Sequence, residues 1–233
     1  MDLFTPLFWT ALLKIIGVNI ILSGDNAVVI ALAARSLPPA QQKRAIFWGS
    51  AAAILMRIVL TFFAVALLQF AWLKLLGSVL LLWIGVKLLH DENGGEDGIK
   101  SHGTMLDAIK TILIADLVMS LDNVIAVAAA AKGDWLLVII GLAISIPLII
   151  YASTILIKVM EKYPVVITIG AALIGWVAGE MAWDEQVIKP FTSQFPRWFE
   201  YLAAAAGAIL VVATGKYLAG RHAASESTAG SHL

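Results

Sequence analysis

Apolar residues fill this chain in windows of about twenty, the length that carries a helix across the hydrocarbon core of a bilayer, and the polar residues fall mostly between the windows. The pattern predicts seven spans: Phe8 to Ala34, Ala45 to Phe70, Ala71 to Leu89, Met105 to Ala131, Trp135 to Ile157, Pro164 to Trp183 and Trp198 to Ala219. The second and third spans nearly touch between Gln69 and Lys74, which predicts a tight hairpin. Met1 to Thr10 has neither a basic leader nor a small-residue cleavage site, so the first span is expected to stay in the mature protein. The tail from 220 to 233 is rich in Ala, Ser, Gly and His without periodicity and is expected to be disordered and cytoplasmic.

Composition sharpens the class. With 61% hydrophobic and 14% charged residues over 233 positions, too little polar surface remains to coat a soluble globule. The 16 Lys+Arg and 16 Asp+Glu cancel, which excludes a nucleic-acid binder that needs a basic face. There is no cysteine, so neither a disulfide framework nor a thiolate metal site is available. With the N-terminus outside, Arg35, Lys43, Arg44, Lys87, Lys100, Lys158, Lys162, Lys216 and Arg221 face the cytoplasm, and only Lys74, Lys132, Lys189 and Arg197 face out. Because basic residues stay on the cytoplasmic side, the C-terminus is expected inside. The same orientation places the acidic segment 91–98 in the cytoplasm as a solvated linker or a cation-collecting loop.

The chain also repeats itself in its polar residues. Asn19 to Ala31 matches Asp116 to Ala128 at a constant shift, with Ser23, Asp25 and Asn26 falling on Ser120, Asp122 and Asn123. A weaker echo aligns Gly77 to Trp83 with Gly170 to Trp176 and sets Lys87 opposite Glu180. Two halves, about 8–90 and 104–183, each hold three spans, and 198–219 adds a seventh in a single transmembrane domain, 1–219. Three is odd, so the halves enter from opposite sides: the predicted fold is an all-α membrane protein of two inverted three-helix repeats plus a C-terminal helix. Such repeats place binding sites near the midplane, where their first helices meet. Asp25 and Asp122 are thus expected to be neighbours.

Carboxylates at that depth demand compensation. The alternative, a polar network that only glues helices, is met more cheaply by hydroxyls and amides. The candidate site therefore comprises Asn19, Ser23, Asp25, Asn26, Asp116, Ser120, Asp122 and Asn123. On a straight helix Asn19, Ser23 and Asn26 share a stripe, as do Asp116, Ser120 and Asn123, while Asp25 and Asp122 stand roughly 100° away. Unwinding at Gly24 would turn Asp25 inward, and a matching break near Leu121 would do the same for Asp122. Arg57 interrupts the second span and needs a carboxylate, either as a fixed ion pair or as a charge-balancing partner while a cation enters and leaves. Glu180 either snorkels or gates, and Lys14, Asp107 and Lys110 reach the interface. His90, His102, His222 and His232 all fall in loops or the tail. Oxygen donors alone favour hard cations such as manganese, magnesium and calcium, and do not separate these from one another.

The motifs Ile21-Leu22-Ser23-Gly24-Asp25-Asn26-Ala27-Val28-Val29-Ile30-Ala31, Met56-Arg57-Ile58 and Asp116-Leu117-Val118-Met119-Ser120-Leu121-Asp122-Asn123 resemble those of the TerC family of integral membrane proteins. So does the Arg35 to Gln42 turn with Leu37-Pro38-Pro39, and the seven-span layout is similar to the YjbE-like branch of that family. The resemblance implies a bacterial inner-membrane exporter of divalent metal, chiefly manganese, with the ion as substrate and no cofactor. Its partners are then the metal cation, the lipid bilayer and, as the expected assembly, a second copy in a homodimer. Where much of the family has an acidic residue six before the first Asp-Asn, this chain has Asn19, leaving Asp25, Asp116 and Asp122 as midplane carboxylates. Two rival readings are a membrane assembly factor without transport and an intramembrane aspartyl protease built on Asp25 and Asp122.

Overall fold

The computed structural model describes residues 6–22, 24–63, 70, 72–90, 104–131 and 134–229. These form helices and no strand: α1 (Pro6–Leu22), α2 (Gly24–Ala34), α3 (Pro39–Phe62), α4 (Leu73–His90), α5 (Met105–Ala131), α6 (Trp135–Lys162), α7 (Val165–Trp183), the short α8 (Lys189–Thr192) and α9 (Trp198–Ala229). Five of them, α3, α4, α6, α7 and the Trp198–Arg221 part of α9, are long and apolar enough to cross a membrane. Phe8–Gly17 and Gly24–Ala34 are shorter apolar helices. Outward positions such as Leu55, Val79 and Ile209 are exposed. An apolar exterior of this kind suits lipid rather than water.

Local chemistry sets the helix starts. Pro39 opens α3 at a position where its missing N–H is not needed. Thr104 and Asp107 cap α5 reciprocally: Thr104 Oγ1 accepts from the Asp107 N–H, and the Asp107 carboxylate accepts from the Thr104 hydroxyl at 2.6 Å. Asp134 accepts the N–H groups of Leu136 and Leu137 at the start of α6. The α5 helix is continuous through Ser120, Leu121, Asp122 and Asn123, so the expected break at Leu121 is absent. Leucine lacks the glycine freedom that would offset the lost helix bonds. Ser23, the segment 64–69, the acidic loop 91–98, Lys132 and residues 230–233 lie outside the described residues. The last helix runs beyond the expected end at Ala219, to Ala229. Extending an existing helix through alanine-rich sequence needs no new nucleus.

The chain divides into two compact units, Met1–Ala71 with Thr104–Val159, and Trp72–Gly103 with Met160–Leu233. In the first, α1 and α2 pack on α5, and α3 packs along both α2 and α5. The connector after α2 turns the chain back on itself. Gln42 donates to the Arg35 carbonyl at one end of the pair, and Arg57 reaches Asn19 at the other, so α3 runs antiparallel to α1 and α2 in a single register. By contrast α3 is parallel to α5. Ala45 clusters with Ala108, Gly49 lies against Ile112, and Arg57 bonds Ser120, three pairs at one constant offset.

The second unit holds α4, α7 and α9, each packed on the other two. Its tightest seam joins α7 to α9, where a Cβ on Gly175 would strike the Gly207 carbonyl and one on Gly179 the Ala203 carbonyl. Small residues let two backbones meet this closely, the usual way apolar helices associate where burial from water cannot drive them. At the start of α4, Trp72 has a φ of 73°, strained for a residue with a Cβ. The loop after α7 holds that start in place. Buried Glu185 accepts the Leu75 N–H at 3.1 Å, and Lys74 meets Asp184 at 2.7 Å. Burial alone would raise the Asp184 carboxyl, but hydrogen bonds and charge from Lys189 and Lys74 bring it below the ordinary value.

Candidate cation site

Arg57 is the centre of the polar interior of the first unit. It is 1% exposed, on an α3 face otherwise made of Ala45, Ile46, Gly49, Ser50, Ala53, Ile54 and Thr61. Its guanidinium forms an ion pair with Asp116, and donates from Nη1 to Asn19 Oδ1 at 2.6 Å and from Nε to Ser120 Oγ at 3.0 Å. Ser120 in turn donates to the second oxygen of Asp116 at 3.2 Å. A buried charge of this kind persists only when paired and hydrogen-bonded, and here three side chains from two helices supply both. The predicted carboxylate partner of Arg57 is thus Asp116.

Asn19 and Asp116 occupy matching places in the two polar motifs, and they are the pair brought together, each bonded to the same guanidinium. From Arg57, α1 and α2 continue toward the Arg35 to Gln42 turn while α5 continues the opposite way. Asp25 stands in the first turn of α2, past Asn19 on the way to that turn. The expectation that Asp25 and Asp122 are neighbours falls on a side chain outside the described residues. Asp122 belongs to α5, but its side chain lies outside the described residues.

Asn26 is 2% exposed, and neither its Oδ1 nor its Nδ2 has a hydrogen-bond partner; its backbone N–H donates to Asp25 Oδ1 at 2.8 Å. Asn123 is buried as well. The hydropathy pattern does not single out Ser50, yet it is 1% exposed and its hydroxyl has no partner. The available signal is its position seven residues before Arg57, on the same stripe of α3. Among the described residues, no group of three or more acidic or histidine side chains converges where it could hold a metal. Elsewhere, Glu180 accepts a hydrogen bond from Trp176 Nε1 at 2.7 Å, and Lys87 stands over the Trp83 ring. Lys14, Asp107 and Lys110 are exposed, and His90 is the last residue of α4.

Five long apolar helices, together with a guanidinium–carboxylate network buried in the first unit, define the class of integral, multi-pass membrane proteins. The family described as integral membrane protein TerC matches residues 4–223, and the chain belongs to it. The uncharacterized membrane protein YjbE of Bacillus subtilis (strain 168) is 45% identical over 184 residues, covering 79% of this chain and 84% of its own. YceF of the same organism, also an uncharacterized membrane protein, is 26% identical over 186 residues, 76% of this chain and 72% of its own. The inner membrane protein YgdQ of Escherichia coli (strain K12) is 26% identical over 216 residues, 85% and 88% respectively. No solved structure matches the chain.

Proposed function

We propose that this protein carries a divalent metal cation, manganese above others, out of the cytoplasm across the bacterial inner membrane. The observation that carries this reading is the Arg57–Asp116 ion pair, buried with Asn19 and Ser120 among apolar helices. Ionised groups in a membrane interior are expensive to insert, and packing alone gives no reason to keep them. A carrier needs them, because carboxylates that receive a cation must be balanced by some other positive charge when it leaves. Arg57 is positioned to supply part of that charge, with protons as the other source.

Two further features support the reading. Equivalent motif positions, Asn19 and Asp116, converge on one residue, and α4 packs on α7, the third members of the two halves. Both relations suit inverted repeats in a seven-span carrier with the N-terminus outside. The protease reading is less favoured, since a dyad that shares a proton needs paired carboxylates, whereas each Asp here is followed by an amide, Asn26 or Asn123, in a repeated frame. Carboxylate, amide and hydroxyl oxygens suit hard cations. Manganese is favoured over magnesium because magnesium sheds water reluctantly and demands a tight octahedron, and because affinity rises along the transition series.

Flux into reconstituted vesicles tests the assignment. Manganese transport that persists in excess magnesium is expected, and cells lacking the gene should accumulate manganese with zinc and copper tolerance unchanged. Equal competition by magnesium at equal concentration would remove the manganese assignment, and absence of any divalent flux would remove the carrier.

A further inference from the structure

Among the described residues, several buried hydroxyls are satisfied in one way that Ser50 does not share. Thr61, Ser78, Ser145 and Ser153 each donate back to a carbonyl of their own helix, at 2.7 to 3.0 Å. That is how a hydroxyl is satisfied inside an apolar helix. Ser50 is buried like them, and its Oγ has no partner. A buried polar atom left unpaired costs about 1–3 kcal/mol, so it calls for an occupant that supplies the missing contact.

The register of the first unit says what lies beside it. Arg35 against Gln42 and Asn19 against Arg57 mark two rungs of one antiparallel ladder between α1–α2 and α3. Between those rungs, Asn26 falls opposite Ser50. Azimuth agrees with height, because residues seven apart on a helix share a face. Ser50 accordingly points along the seam that Arg57 occupies between α1–α2 and α5, about 10 Å nearer the α2–α3 turn at 1.5 Å per residue. The residue opposite, Asn26, is the other buried side chain in this region whose polar atoms are both unpartnered, and Asp25 precedes it with a carboxylate.

We propose that Ser50, Asn26 and Asp25 form a divalent-cation station of their own, two helical turns from the Arg57–Asp116 pair, in which the Ser50 hydroxyl is a ligand. This rests on the carrier reading above and extends it: the ion pauses on the turn side of Arg57, held by one carboxylate and two neutral oxygens. One negative charge against a divalent ion makes a site that fills and empties readily, as a transit position must. A buried water bridging Ser50 and Asn26 is the rival occupant.

Manganese binding to the full-length protein in detergent, followed by loss of the free-ion electron paramagnetic resonance signal, separates the two. Ser50→Ala is expected to weaken manganese binding roughly tenfold, the low end of the range for disturbed metal sites. Its metal-free thermal midpoint should be unchanged or higher, because an unpartnered hydroxyl has been removed. Ser50→Cys should raise cadmium affinity relative to manganese, since a thiolate prefers the softer ion. Asp25→Asn should abolish binding at this station. Ser50→Ala and Ser50→Cys that both keep wild-type affinities for the two ions, with Asp25→Asn still deficient, would overturn the role of Ser50 and leave the carrier standing. Full binding by Asp25→Asn would overturn the station, and no manganese binding by the folded wild type would overturn station and carrier together.

Discussion

Arg57 meets three of the described side chains with three different nitrogens: Nη2 takes the Asp116 charge, Nη1 the Asn19 amide and Nε the Ser120 hydroxyl. Because the pair is buried, removing one member strands the other. Arg57→Met and Asp116→Asn should each destabilise the protein by about 3–5 kcal/mol, whereas Arg57→Met combined with Asp116→Leu should recover most of the loss, as apolar replacements of buried pairs commonly do. Thermal unfolding in detergent measures this, and vesicle flux adds what stability cannot: the double variant should fold yet fail to transport manganese. Normal flux from it would reduce the pair to a structural tie. That Arg57 needs a carboxylate was legible from one charged residue in an apolar run. Which carboxylate it takes was not, since Asp25, Asp116 and Asp122 are equally good partners until helix direction is known.

Among elements, the helix boundaries follow closely from hydropathy and local caps. The α5 limits, Met105 and Ala131, coincide with the apolar window, because Thr104 and Asp107 form a cap and the apolar run ends just before Lys132. Association between helices is a different matter. Gly175 and Gly179 stand four apart on α7 and press on the Gly207 and Ala203 carbonyls of α9, so the seam depends on the absence of a side chain. Gly179→Ala should push the backbones apart and lower stability by about 1–3 kcal/mol, the usual scale for overpacking. A thermal midpoint equal to wild type would show that the seam yields freely. The glycine spacing is visible in the sequence, but its partner is not, because any small-residue face on another helix would fit it.

For the whole molecule, orientation remains the property most open to a direct check. The excess of Lys and Arg on alternate connectors predicts that a reporter fused after Leu233 reads as cytoplasmic and one inserted near Lys189 as external. A periplasmic C-terminus would overturn the seven-span arrangement and the inverted repeat with it. Membrane residence, helical class and the chemical character of the interior were determined by the sequence alone, since each depends on quantities that add up along the chain: apolar length, oxygen donors without sulfur, and a repeated polar motif. Convergence of distant residues was decided only by the tertiary structure. The repeat by itself does not say which of its polar positions meet, and the structure brings Asn19 and Asp116 to one guanidinium. That meeting depends on the α2–α3 turn and on the parallel packing of α3 on α5, interactions between residues far apart in sequence that no local pattern encodes.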